Sequence, residues 1–87
     1  MATFVEIVWY DAHADTSTWM EKDEIDQKPC VVVSCGILLP DAKPDHVVLS
    51  QSLNSYDQVD CVLSVPAGMV QSMRVLGSGL DAEEHLA

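Results

Sequence analysis

Apolar and polar residues alternate along most of this chain, and the alternation falls into five segments. Residues 3–10 set Val5, Ile7 and Trp9 on one face and Glu6 on the other. Residues 30–39 have apolar side chains at every odd position, Val31, Val33, Cys35, Ile37 and Leu39, with Ser34 and Gly36 on the even face. In residues 46–53, Val47, Leu49 and Leu53 share a face opposite Ser50 and Ser52. Residues 59–65 alternate most cleanly, with Val59, Cys61, Leu63 and Val65 expected inward and Asp60 and Ser64 outward. In residues 69–76, Met69, Met73 and Leu76 also fit a helical stripe, but the run is short and Val-containing, which favours a strand.

The connectors agree with this division. Pro40-Asp41 through Pro44-Asp45 is a polar turn whose prolines cannot join a ladder. Asn54 to Asp57 is predicted to be a hairpin loop, and Pro66-Ala67-Gly68 a tight or single 3₁₀ turn. The long connector 11–28 contains Thr18-Trp19-Met20-Glu21 at capping-box spacing, which predicts a helical turn or two from Trp19 to about Ile25. Gly77-Ser78-Gly79 opens what is expected to be a flexible tail over 77–87, leaving one domain over 1–76. Gly36 inside a long strand predicts a bend that lets one strand serve two halves of a curled sheet. Five short strands in a chain this size point to a small antiparallel barrel rather than a sandwich.

Charge narrows the function. Fourteen Asp and Glu stand against 4 Lys and Arg, a formal net charge of −10, so a direct nucleic-acid binder is not expected. An acidic chain suits a basic partner surface or imitation of a polyanion. Cys30, Cys35 and Cys61 make an odd count without a Cys-x-x-Cys pair, and are expected to be small core hydrophobes rather than disulfide partners. No apolar run has the length of a membrane span, and the N-terminus lacks a basic, then apolar, leader pattern. A cytoplasmic protein without a membrane partner is expected.

The segments V-x-I-V-W-Y-D-A (Val5 to Ala12), S-C-G-I-L-L (Ser34 to Leu39), H-V-V-L-S-Q-S (His46 to Ser52) and V-P-A-G-M-V-Q-S-M-R-V-L (Val65 to Leu76), with Trp19 between the first two, resemble a group of short tailed-bacteriophage proteins. Their pattern is a strand ending W-x-D-A, a strand with S-x-G-x-L, and a closing V/I-P-x-G-x-V/I segment. A 3₁₀ turn before the last strand also resembles SH3-like and Sm-like barrels. The resemblance implies a five-stranded all-β barrel and a phage accessory protein acting in the host bacterial cytoplasm. That class contains inhibitors of bacterial immunity, some blocking a host protein and some sequestering a signalling nucleotide.

Candidate chemistry is sparse. Asp11, His13 and Asp15 would share one side of an extended chain, but the alternative, a polar strand exit, is favoured over a metal site, and His46 and His85 add no evident ligand. The serines at 50, 52, 64 and 72 fall on expected solvent faces, and no Gly-x-Ser-x-Gly occurs. No catalytic residue, metal or cofactor is therefore assigned. Trp9 is expected in the core. Trp19 is expected to cap the open barrel end, the other roles being stacking on a ligand or insertion into a partner.

The chain is expected first to be a non-enzymatic inhibitor of a host defence protein. Asp11, Asp15, Trp19, Glu21, Asp23, Glu24 and Asp26 would meet that protein's basic surface. The alternative is a homo-oligomeric sponge for a small nucleotide, in which Trp19 stacks the base and Lys28 or Arg74 meets phosphate. In that case segment five or two would pair between subunits. A virion structural or assembly protein is the second alternative.

Overall fold

The computed structural model describes residues 2–15 and 18–79. Along the chain they form β1 (Ala2–Asp11), the 3₁₀ turn η1 (Lys22–Glu24), β2 (Cys30–Leu38), β3 (His46–Ser50), β4 (Ser52–Leu53), β5 (Val59–Asp60), β6 (Leu63–Pro66), the 3₁₀ turn η2 (Ala67–Met69) and β7 (Val70–Gly79). Five strands make one sheet in the order β6-β3-β2-β1-β7, while β4 and β5 form a separate two-stranded ladder. Every pairing is antiparallel.

The sheet has to coil. Pro66 pairs with His46, beyond the Leu38 end of β2, whereas Val70 pairs with Trp9 toward the other end of β1. On a flat sheet these positions would lie roughly 25–30 Å apart, at about 3.3 Å per residue. The bridge between them is η2, only 3 residues long. Even fully extended, such a bridge spans at most roughly 14 Å. The β3–β6 half therefore folds across the β1 half, and the core lies where they meet. Val5 and Ile7 of β1 pack with Leu49 of β3 and Val65 of β6, joined by Trp9, Leu38, Val47, Leu63 and Val70. Val5 and Ile7 are fully buried, each contributing about 1.5–3 kcal/mol of transfer free energy.

β2 joins the two halves. Its residues from Cys30 to Ile37 ladder with β1, and Ile37 and Leu38 ladder with β3. Gly36 sits at the changeover, as the sequence predicts. A Cβ there would lie 2.9 Å from the Ser50 carbonyl oxygen and 3.1 Å from Leu49 Cβ, so only glycine lets β3 approach this closely. The curl stops short of closure, because among the described residues β6 and β7 are edges not paired with each other. The expected mostly-β, antiparallel architecture is thus present as an open, coiled sheet.

Several local expectations are corrected. Over most of β2 the even face turns inward: Ser34 and Gly36 lie opposite Ile7 and Val5, while Val31, Val33 and Cys35 are exposed; of the odd positions Ile37 is buried, as expected. The reason is Trp9, whose indole Nε1 donates to Ser34 Oγ at 3.1 Å and so needs that hydroxyl on the core side. The cysteines do not form core packing, since Cys35 and Cys61 are exposed and Cys30 is half-buried. Ser50, expected on a solvent face, is 1% exposed, and its hydroxyl has no partner among the described residues.

Segment 59–65 is not one strand. Cys61 adopts a left-handed conformation, φ 47, opposite a bend at Gln51, and divides it into β5 and β6. The register nevertheless carries through, from Leu53↔Val59 and Ser52↔Asp60 to Leu49↔Leu63 and His46↔Pro66, so 46–66 is one kinked hairpin. The helical turn of the connector is shorter and later than predicted, a single 3₁₀ turn whose Glu21 N–H is accepted by Glu24 Oε2 at 3.3 Å. Segment five is a strand, as favoured, and it continues through Gly77, Ser78 and Gly79, which pair with Phe4, Thr3 and Ala2. The remainder of the expected tail, 80–87, lies outside the described residues, as does His85.

Candidate functional site

The connector between β1 and β2 leaves the sheet where Asp11 pairs with Cys30 and returns to the same place. Its described residues bury nothing, and only Met20 is half-buried. Such a segment gains little from packing, so local hydrogen bonds shape it. Asp11 Oδ1 accepts the Ala12 N–H at 2.8 Å and turns the chain out of β1. Asp26 Oδ1 accepts the Lys28 N–H at 3.0 Å, and Gln27 Nε2 donates to the Ile25 carbonyl at 2.9 Å, which steers the chain back toward β2.

This arrangement exposes all six connector-region carboxylates singled out from the sequence: Asp11, Asp15, Glu21, Asp23, Glu24 and Asp26. It brings two of them together. Asp15 and Asp26 line one open cleft of about 270 Å³ with His13, Ala14 and Ile25. Among the described residues none of the six forms an ion pair, and no group of three or more His, Cys, Asp or Glu is arranged to hold a metal. Six carboxylates stand against two lysines of the same stretch, Lys22 and Lys28, so the local field is net negative and points into solvent.

Trp19 is 99% exposed, which removes it from the capping role expected of it. An exposed indole close in sequence to Glu21, Asp23 and Glu24 has the composition of a recognition anchor, a large apolar group beside charged ones. Ile25, 50% exposed on the wall of the cleft, adds a second apolar contact. The sequence masks it, because the four carboxylates of residues 21–26 signal a solvated charged face around it. Tyr56, 83% exposed, was also missed. It stands on the β4–β5 loop, where Asn54 Oδ1 accepts the N–H groups of Tyr56 and Gln58 at 3.0 and 2.9 Å. An Asn opening a short loop with one aromatic inside it was the available signal.

The cations expected to meet a phosphate are not assembled within one chain. Arg74 Nη2 bonds Glu6 Oε2 at 3.2 Å on the face of the sheet opposite the core. Glu6 lies five residues along β1 from Asp11, roughly 17 Å at strand rise, and Lys28 lies beyond that end. Lys28 is exposed and close in sequence to Asp26, whose carboxylate holds its backbone. Among the described residues no helix is long and apolar enough to cross a membrane. The chain matches no family model, no curated protein and no solved structure.

Proposed function

We propose that this protein is a non-enzymatic binding module that engages a basic surface on a partner protein through its β1–β2 connector. One observation carries this: Trp19 is almost fully exposed, and six exposed carboxylates that form no ion pair among the described residues fall with it within residues 11–26, a stretch the core does not draw on. Asp11, Asp15, Glu21, Asp23, Glu24 and Asp26 steer the partner, and Trp19 supplies the desolvated contact that holds it. The −10 net charge raises the encounter rate with a basic surface and repels anionic competitors.

The resemblance to tailed-phage proteins extends the proposal to an accessory protein that inhibits a host defence protein in the bacterial cytoplasm. The fold is assigned, on the same footing, to an opened variant of the SH3/Sm-like barrel. The strand order, the 3₁₀ turn before the last strand and the switch of β2 between two halves at Gly36 support that assignment.

The test is affinity capture from a bacterial lysate at low and high salt, comparing the wild type with Trp19→Ala and with a Glu21→Gln/Asp23→Asn/Glu24→Gln/Asp26→Asn variant. The expected result is a basic protein retained at low salt, released as salt rises, and lost with either variant. Retention indifferent to salt and to both variants would overturn the proposal. So would native mass spectrometry showing a retained small molecule in place of a protein.

A further inference from the structure

We infer that two copies of this chain pair through β7, edge to edge and antiparallel about a two-fold axis, so that the sheet continues across a dimer. The inference stands apart from the connector and its partner.

β7 is 10 residues long and ladders with β1 along one side. Among the described residues nothing ladders with its other side, which leaves a row of backbone N–H and C=O groups without strand partners. Edges of this kind are normally blunted by Lys, by Pro, by bulges or by brevity. β7 is long and has neither Lys nor Pro, with the sequence VQSMRVLGSG, and its two register shifts leave the stretch between them regular. Its one charge, Arg74, is already tied to Glu6. The register shifts opposite Phe4/Val5 and Val8/Trp9 fall on either side of a regular stretch, Ser72 to Val75, where a two-fold axis would sit. Apolar side chains flank it, with Met73 49%, Val75 63% and Leu76 50% exposed.

Charge selects a second copy as the occupant. Two chains of −10 repel each other wherever acids face acids. Residues 61–80 contain no Asp or Glu, and they include both free edges of the sheet, β6 and β7. This is the long stretch on which two copies can approach without opposing carboxylates. Between the two edges, β6 is only 4 residues long and ends in Pro66, which has no N–H to donate. Pairing β7 with β7 matches two strands of equal length about the regular stretch Ser72 to Val75, whereas pairing it with β6 leaves most of it bare. An isologous two-fold dimer is the closed arrangement that follows.

Sedimentation equilibrium of the full chain reads the outcome directly. A dimer mass is expected, with association strengthening as salt rises, because screening weakens the mutual repulsion of two acidic chains. Partner binding by the acidic connector responds to salt in the opposite sense, so the two ideas fail separately. Val75→Lys places a charge on the edge and is expected to weaken dimerisation roughly tenfold or more. Val33→Lys, on an exposed β2 position of the opposite sheet face, is expected to leave it unchanged. Far-UV circular dichroism checks that both variants fold. In the wild type, hydrogen exchange at 72–75 is expected to slow as concentration rises. A monomer at every concentration and salt, or dissociation by Val33→Lys but not by Val75→Lys, would overturn the dimer.

Discussion

Between β1 and β2 the chain carries Asp15, Glu21, Asp23, Glu24 and Asp26 and buries no described residue; from Cys61 to Gly79 it carries no acid and supplies Val65 to the core. The two stretches are of similar length and belong to one small domain, yet they answer to different physics. The connector is held by turns and side-chain caps, so its composition is free to be set by recognition. The β6–η2–β7 stretch is held by ladders and by a short bridge that forces the sheet to coil. Its one charge, Arg74, sits on the exposed face and is paired with Glu6. What the pair teaches is that a domain with a small core can separate the residues that hold it from the residues that recognise.

The sharpest way to break that contrast is to weigh the two regions by stability. Ile7→Ala, at a fully buried position, is expected to cost about 2–5 kcal/mol in urea denaturation. Trp19→Ala is expected to stay within about 0.5 kcal/mol of the wild type in the same experiment, as an exposed position away from the packing does. A comparable loss for Trp19→Ala would mean that the connector is structural after all.

Gly36→Ala is expected to be the next largest, about 1–3 kcal/mol destabilising, because the new methyl meets the Ser50 carbonyl and Leu49. Thermal denaturation reads it, and an unchanged midpoint would show that β2 does not need the close approach. Ser50→Ala is smaller and has the other sign. Its buried hydroxyl has no partner among the described residues, so removal is expected to be neutral or to stabilise by up to about 1 kcal/mol. The smallest effect belongs to Arg74→Gln, where the lost ion pair with Glu6 is largely solvated. Less than about 0.5 kcal/mol is expected, measured as the difference between low and high salt.

Much of the sheet was legible in the sequence because alternation and turn residues agree there. The Val5, Ile7 and Trp9 face, the inward Val47 and Leu49, the 54–57 loop and the 3₁₀ turn at Ala67–Met69 are where the pattern puts them. Apart from the buried Ile37, the face of β2 was not legible, because its odd positions are the more apolar ones. Which side turns inward is decided by two long-range demands, the Trp9 bond to Ser34 and the space that Gly36 leaves for β3. The kink at Cys61 was hidden for another reason, since a left-handed cysteine carries no residue signal. In the candidate site the carboxylates were identifiable from sequence. The exposure of Trp19 was not, because nothing local distinguishes an indole that packs from one that does not.

The unbroken register of the 46–66 hairpin also bears on the order in which the fold assembles. Its pairs join residues close in sequence, down to Leu53 and Val59, whereas the β1–β7 ladder joins Ala2 to Gly79 and encloses nearly everything between. Loop closure makes the first inexpensive in chain entropy and the second late. The transition state is therefore expected to hold the hairpin formed and β7 still undocked. Φ-values near one at Val47 and near zero at Val75 would show that order, and the reverse pattern would refute it. Until β1 is sealed along that side, the folding chain has a second naked edge, and time spent in that state is time open to misassembly.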